Sequence, residues 1–277
     1  KYIKGLRTLL IGTTGGEFVA TASSSAEPIT PTNIQIKRQA GYGTSDVDAL
    51  LAGNRVLFVQ RAGKKVRELV FDFNSDGYVA PDLTILAEHI GGSGVGTGFT
   101  NWTYQQEPDS IVWVVRSDGV LTGMTYQRSE NVVAWHRHIL GGAFGNGIAE
   151  VESVAAISNT VTSSRGEDTL YMIVKRTVNG STVRYIEYLQ PFDFGSNIED
   201  AWFLDSGLLY SGSATTTLSG LSHLEGQTVS ILANGSTHAD KVVSSGAISL
   251  DRSVTKAIVG LKYTSKLQTM RIESGSA

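Results

Sequence analysis

The chain is 277 residues long and 41% hydrophobic, with 23 basic against 26 acidic residues, a net charge of -3 and no cysteine. That length can bury a substantial core, with room for one large domain and a smaller one, and the charge gives no global case for wrapping nucleic acid or an anionic membrane. The missing cysteines exclude disulfide frameworks, thiolate nucleophiles, cysteine-type zinc sites and thioester chemistry.

The opening run KYIKGLRTLLIGTTGG is too short for a membrane span and lacks the long apolar region of a secretory signal. It reads as the start of a soluble protein made in the cytoplasm. Because residue 1 is Lys and a strand-like run follows at once, the expectation is a fragment or processed piece of a longer chain.

Four hairpin phrases then recur: LRTLLIGTTGGEFVATA, VLFVQRAGKKVRELVFDF, IVWVVRSDGVLTGMTYQR and LYMIVKRTVNGSTVRYIEYL. They begin at Leu6, Val56, Ile111 and Leu170, separations of 50, 55 and 59 residues. Each is an apolar strand, a polar turn and a second strand, and the turn pairs Gly15-Gly16, Asp76-Gly77, Asp118-Gly119, Asn179-Gly180 and Asn234-Gly235 supply the positive φ angles of tight hairpins. Self-similarity at this period predicts propeller blades carrying insertions. A β-sandwich is the competing parse, but it predicts no such period.

Helical periodicity is confined mainly to PDLTILAEHIGG, where Pro81 suits a first turn, Leu83, Leu86 and Ile90 share a face, and Gly91 caps the end. One short helix is expected there. The following GGSGVGTGF, Gly91 to Phe99, resembles a phosphate cradle only in its glycine count: no Lys-Ser/Thr follows and no strand leads into a helix, so it reads as a connecting loop.

One blade parses in full: FTNWTYQQ as the lead strand, Ile111 to Arg116 as the second, Val120 to Arg128 as the third and Val132 to Leu140 as the outer one. AEVESVAAIS, DTLYMIVKR and STVRYIEYLQ begin the next in the same order. After Phe203 the sequence turns to Ser, Thr and Gly with short alternating strands, predicting a second domain, a small β-barrel of five or six strands. The expected fold is all-β: a propeller-like domain over residues 1–205, incomplete at its N-terminus, then a barrel module over 206–277.

Candidate chemistry is sparse. His136 and His138 lie at i and i+2, on one face of a strand, where two imidazoles can bind a metal. No third ligand stands nearby and Arg137 points the other way, so the pair reads as hydrogen-bonded or solvated. The carboxylate pairs Glu107/Asp109, Glu167/Asp168 and Glu199/Asp200 fall in predicted loops, where acids are ordinary, and their separation in space alone would qualify them for glycoside hydrolysis. Trp102, Trp113 and Trp135 lie in blade strands and read as core, although with Trp202 they offer the alternative of a sugar-stacking surface. Lys64, Lys65 and Arg67, with Arg61, make a basic hairpin tip read as solvated. No catalytic, cofactor-binding or metal-binding residue is assigned.

At VLTGMTYQRSENVVAWHRHILGG, AEVESVAAIS and DTLYMIVKRTVNGSTVRYIEYLQ the chain resembles virion proteins of tailed bacteriophages and prophages, nearest to the tail nozzle, or tail tubular protein B-like, family of short-tailed phages. NRVLFVQRAGKKVRELVFDF, GYVAPDLTILAEHI and VWVVRSDG fit the same order of phrases, so the resemblance runs from about Gly53 to Leu189. It continues more weakly into LSHLEGQTVSILANGSTHADKVVSSGAISL, which is similar to a small barrel module trailing the propeller in many phage sequences, sometimes likened to a domain of ubiquitin-activating enzymes. Without cysteine, the thioester chemistry of those enzymes is out of reach.

The resemblance implies a non-enzymatic virion protein made in the bacterial cytoplasm and located in the tail. By the same resemblance its subunits form a ring, a hexamer in the intact particle, beneath the portal and adaptor; DNA passes through without specific binding and tail fibres attach outside. It implies no catalytic residues. The alternative expectation is a carbohydrate-binding, receptor-recognition propeller of a phage tail.

Overall fold

A computed structural model describes residues 1–24, 26–92, 94, 97–158 and 166–269. The chain divides into two compact units: Lys1–His138, Glu150–Lys175 and Arg184–Gln190 in the first, and Ile139–Ala149, Arg176–Val183 and Pro191–Ala277 in the second.

The first unit is built from antiparallel sheets whose strands neighbour one another in chain order. β1 (Tyr2–Gly5), β2 (Leu9–Thr13), β3 (Gly16–Thr21) and β4 (Gln35–Ala40) form the first. β5 (Leu50–Ala52), β6 (Arg55–Val59), β7 (Val66–Asp72) and β8 (Gly77–Val79) form the second. β9 (Phe99–Gln105), β10 (Ile111–Arg116), β11 (Leu121–Gln127) and β12 (Val132–His138) form the third, within one or two residues of the parse expected from the sequence. After the short hairpin β13 (Ala143–Phe144) and β14 (Gly147–Ile148) of the second unit, β15 (Glu150–Ser158), β16 (Asp168–Val178) and β17 (Ser181–Tyr188) make a three-stranded sheet. The turn between its last two strands holds Asn179 at φ 48° and Gly180 at φ 74°, the left-handed pair that a two-residue hairpin demands.

Period-two alternation sorts side chains to opposite faces, and consecutive sheets share them. Tyr2, Leu10 and Val19 of the first sheet cluster with Val56, Phe58 and Leu69 of the second. From the other face of the second sheet, Leu57, Val59 and Val66 meet Trp102, Val112, Val114 and Met124 of the third. The second sheet is thus buried on both faces, which is why RVLFV is a continuous apolar run after its Arg. The third and last sheets are joined by side chains of β9: Asn101 Oδ1 and Thr103 Oγ1 accept the Val154 and Ala156 N–H groups of β15 at 2.9 and 3.0 Å.

Two expectations are corrected. The α-helix expected over Pro81–Gly91 is instead a series of turns ending in one 3-10 turn, Glu88–Gly91. Sheet pairing competes for its first residues: Leu83 N–H donates to Val66 O and Arg67 bridges to Asp82, while Asp82 Oδ1 takes the Thr84 N–H. Only Leu83 and Ile90 of the supposed apolar face are buried, and Leu86 is 97% exposed. The glycine-rich stretch that follows contains residues 93, 95 and 96, so part of that reading lies outside the described residues.

The second correction concerns the barrel. β18 (Asp205–Ser219), β19 (Thr228–Ala233), β20 (Ser236–Val242) and β21 (Ala247–Leu261) form one open sheet in the order β18-β21-β19-β20, and among the described residues no pairing of β18 with β20 closes it. The register of β18 against β21 shifts between Ser211 and Thr215 and again before Thr217. Such irregularities bend long strands, so four strands enclose a core of Leu218, Leu224, Val229, Ile231, Val254 and Val259 without closure. The second unit also buries Arg176, whose Nε–H donates to Gly141 O at 2.8 Å.

Candidate functional site

The histidine pair sits on β12 in a pocket that β11 vacates. Trp113, Gly123 and His136 are directly opposed across β10, β11 and β12, and a Cβ at Gly123 would lie 2.1 Å from the His136 ring. Glycine therefore makes the space that the imidazole fills. His136 Nδ1 and His138 Nε2 share a hydrogen bond at 2.7 Å, and both rings contact Trp113, with centroids at 5.7 and 5.0 Å. Trp113 Nε1–H in turn donates to Gln105 Oε1 at 2.7 Å, and Gln105 Nε2–H to Asp168 O at 2.7 Å. Burial depresses both imidazoles, His138 to about 4 with a further contribution from His136 beside it. Both are neutral at pH 7, each with one N–H and one lone pair, as a mutual hydrogen bond requires.

Metal chemistry needs further ligands, and among the described residues no group of three or more His, Asp or Glu converges on one point. The ring nitrogens that would face each other across a metal are instead bonded directly. Dialysis against a chelator is expected to leave the melting temperature unchanged; a fall of many degrees, reversed by adding metal back, would show that the pair holds an ion.

A second buried cluster was not foreseen. Glu68, on β7, is fully buried and receives the Tyr126 hydroxyl at Oε2 (2.8 Å) and the Arg55 guanidinium at Oε1, while Arg128 Nε lies 3.1 Å from Oε2 as an ion pair without hydrogen-bond geometry. Burial, with the Glu68 carboxylate next in weight, pushes the Tyr126 phenol upward, so it is a permanent donor. The available signal was positional. Glu68 follows Val66 at i+2 on a strand, and an acid on an otherwise apolar face demands partners. Glu17 is also fully buried among the described residues of this unit; burial raises it, and the Tyr42 N–H and Thr44 hydroxyl at 3.3 Å each hold it in check.

Several of the remaining candidates have structural partners, whereas Glu107 and Asp109 are exposed. Asp168 opens β16 rather than sitting in a loop, and its Oδ2 accepts the Gln106 and Glu107 N–H groups at 2.8 and 3.1 Å. Glu199 and Asp200 both face Lys256. Trp102 is 7% exposed, with its Nε1–H on Asp48 O; Trp135 stacks on Phe99 and donates to Leu83 O; Trp202 donates to Leu204 O.

The basic tip differs from the solvated one expected. Lys65 pairs with Asp82 at 2.9 Å, which raises its ammonium, Lys64 donates to Gly94 O, and Arg67 reaches Gln60 Oε1 and Ala80 O while lying 3.5 Å over the Tyr42 ring. These three are half-buried, whereas Arg61 is exposed. Their charges are engaged because the turn folds back onto the Pro81 segment.

A cleft of about 280 Å³ lies beside β5 and β9, lined by Asp46, Asp48, Thr100, Asn101 and Trp102 among others. Its two carboxylates are paired with Lys1 and Lys4 at 2.8 and 2.9 Å, and its tryptophan is packed away. No nucleophile–base pair is assembled by any of these clusters; they join strands and sheets. No helix among the described residues is long and apolar enough to cross a membrane. No protein-family model matches the chain, and no curated protein matches it.

Proposed function

We propose that the chain is a structural component of a phage tail, a nozzle or hub subunit that contributes to the DNA-ejection channel and serves as a platform for fibres. The observation that carries this reading is the succession of up-and-down antiparallel sheets, each packed on the next, with the nozzle-like phrases distributed along them. In this reading the sheets are blades set radially about an axis, and copies join in a ring, a hexamer in the particle, against the portal-adaptor and fibre proteins. Polar side chains engaged in joining strands, rather than held ready for a substrate, support a mechanical role. Electron microscopy of particles carrying a tagged copy tests it: label at the tail with rings of the purified protein is the expected result. Purified particles that lack the tag would overturn it.

The carbohydrate-binding alternative is weaker, because it needs tryptophan faces open to solvent, and Trp102 and Trp113 are 7% and 2% exposed.

A channel wall should guide DNA without gripping it, since each Lys or Arg contact to phosphate strengthens binding through counterion release. With net charge -3 and Lys64, Lys65 and Arg67 engaged within the chain, no broad basic groove is expected. Fluorescence titration with duplex DNA at about 0.15 M salt should give affinity no tighter than the roughly 10⁻⁴–10⁻⁶ M of non-specific contacts. Nanomolar, sequence-selective binding would point to a DNA-recognition protein instead.

A further inference from the structure

We infer that Asn179 is a site of spontaneous covalent modification, deamidating through a succinimide formed with Gly180. The dipeptide Asn-Gly occurs three times in the chain, at Asn146, Asn179 and Asn234. It is the asparagine context most open to this reaction, because a glycine has no Cβ to shield its nitrogen or restrict its approach. Each pair lies at a two-residue hairpin tip, between β13 and β14, β16 and β17, or β19 and β20, and all three asparagines are exposed. Sequence and exposure therefore do not separate them. Their hydrogen bonds do.

In the reaction the Gly180 main-chain nitrogen attacks Asn179 Cγ, and an N–Cγ bond forms. The Cγ–Nδ2 bond breaks, and ammonia leaves with the proton given up by the attacking nitrogen. Water then opens the ring: addition at Cγ yields aspartate, and addition at the Asn179 main-chain carbonyl yields isoaspartate. Nothing is oxidised or reduced, and either product carries one more negative charge. The step needs an unengaged nitrogen, a side chain free to turn towards it, and a backbone that lets the two meet at about 3–3.5 Å.

Asn146 fails on the nitrogen. It stands second in its turn, behind Gly145 at φ 56°, so Gly147 is already the first residue of β14 and pairs with Phe144. The residues flanking a two-residue hairpin turn are its hydrogen-bonded pair, which holds the Gly147 N–H in the ladder.

Asn234 fails on the side chain. It leads its turn at φ 48°, with Gly235 at 74°. Its Oδ1 accepts the Thr255 N–H at 3.1 Å, the Lys256 N–H at 2.9 Å and the Thr255 hydroxyl at 3.4 Å, and its own N–H donates to Lys256 O at 2.9 Å. Gly235 is enclosed as well, since a Cβ there would lie 2.7 Å from Ile198 Cγ2. Neither its backbone nor its amide can turn without breaking the seam to β21.

Asn179 has the same backbone, φ 48° followed by 74° at Gly180. Among the described residues no hydrogen bond engages its side chain or the Gly180 N–H, and a Cβ at Gly180 would meet nothing within 4 Å. The left-handed backbone turns Cγ away from the next nitrogen in both leading asparagines, so reaction waits for the tip to open. Opening at Asn179 costs only the turn, whereas at Asn234 it also breaks the bonds to Thr255 and Lys256. Such weakly tied tips form the low-stability end of a structure. Isoaspartate then adds a main-chain carbon to a turn built for two residues, which loosens the end of the β16–β17 hairpin.

The test holds the intact chain folded at mildly alkaline pH, beside the same chain in denaturant, and follows the three sites by peptide mapping and mass spectrometry. The amide-to-acid mass gain measures conversion, and electron-transfer fragmentation distinguishes isoaspartate from aspartate. Dividing each folded rate by its denatured rate removes differences in local sequence. Asn179 should keep the largest ratio, about tenfold or more above those of Asn146 and Asn234, because each hydrogen bond broken on opening slows the reaction several-fold. A ratio at Asn146 or Asn234 equal to or above that of Asn179 would overturn the assignment. So would a folded chain in which Asn179 stays unconverted while the denatured chain reacts.

Discussion

Replacing Glu68 with alanine should lower the stability of the first unit by about 3–5 kcal/mol, the range for breaking a buried ion pair by removing one partner. The side chain is fully buried on β7 and its two oxygens gather Arg55, Arg128 and Tyr126. Those partners come from β6, β11 and the turn after β11, so one carboxylate ties the second sheet to the third. Without it, two partly exposed guanidinium groups lose their shared counter-charge, and the Tyr126 hydroxyl loses its acceptor. Glu68→Gln preserves the volume but not the charge and should also destabilise, while Tyr126→Phe removes only one donor and should cost about 1–2 kcal/mol. Thermal unfolding followed by circular dichroism distinguishes them: at roughly 2–4 °C per kcal/mol for a unit of this size, Glu68→Ala should melt on the order of 10 °C lower. Because the Glu68 carboxylate is fully buried, although its two guanidinium partners are partly exposed, most of the loss should persist in high salt, where surface pairs are screened. A Glu68→Ala protein melting within 2 °C of the original, or one rescued by salt, would mean that the carboxylate is solvated and does not join the sheets.

How much of this was legible beforehand depends on whether the governing interactions are local. The third sheet was, because the apolar runs of β10 and β11 flank Asp118-Gly119, and a strand, a tight turn and a second strand leave little freedom in register. The Pro81 segment was not. Its 3.6-residue spacing is real, but Leu83 N–H is claimed by Val66 O, seventeen residues earlier, and helical periodicity in the sequence carries no information about that competitor. The open C-terminal sheet was hidden for a similar reason. Alternation identifies strands, but closure depends on bulges at Ser211–Thr217 that follow from how β18 and β21 pair.

The same distinction separates the two buried polar clusters. His136 and His138 were visible as a pair because a two-residue spacing on a strand places them on one face, yet the residue that seats them, Gly123, comes from a neighbouring strand. Glu68 was one acid within KKVRELVFDF, and its partners Arg55, Tyr126 and Arg128 lie 13 to 60 residues away. A sequence shows which side chains need partners; pairing of distant strands decides which ones they obtain.

Lowering the pH from 7 to 5 should destabilise the first unit through the histidine pair, and replacing His138 with glutamine should remove a large part of that dependence. His138 is depressed to about 4 by burial and by His136, whereas an unfolded histidine titrates near 6.5. Between these values the unfolded chain binds more protons than the folded one, so stability falls as pH falls. The dependence vanishes above about pH 7, where both states are neutral, and levels off below the folded value. Over the whole window the cost is about 3 kcal/mol if His138 titrates alone, with roughly half of it reached by pH 5. His136 is lowered by burial as well and adds in the same direction. The physical cause is that the folded pair resists protonation: with both rings cationic neither nitrogen could accept at the 2.7 Å contact between Nδ1 and Nε2, and two like charges would face each other beside Trp113, so the pair stays neutral while unfolded histidines take up protons. Melting curves at pH 7, 6 and 5 for the original chain and for His138→Gln are the measurement, and comparing pH slopes cancels the titration of carboxylates common to both. The original should lose several degrees more than the variant between pH 7 and 5; parallel slopes would mean that the imidazoles take up protons in the folded state as readily as in the unfolded one.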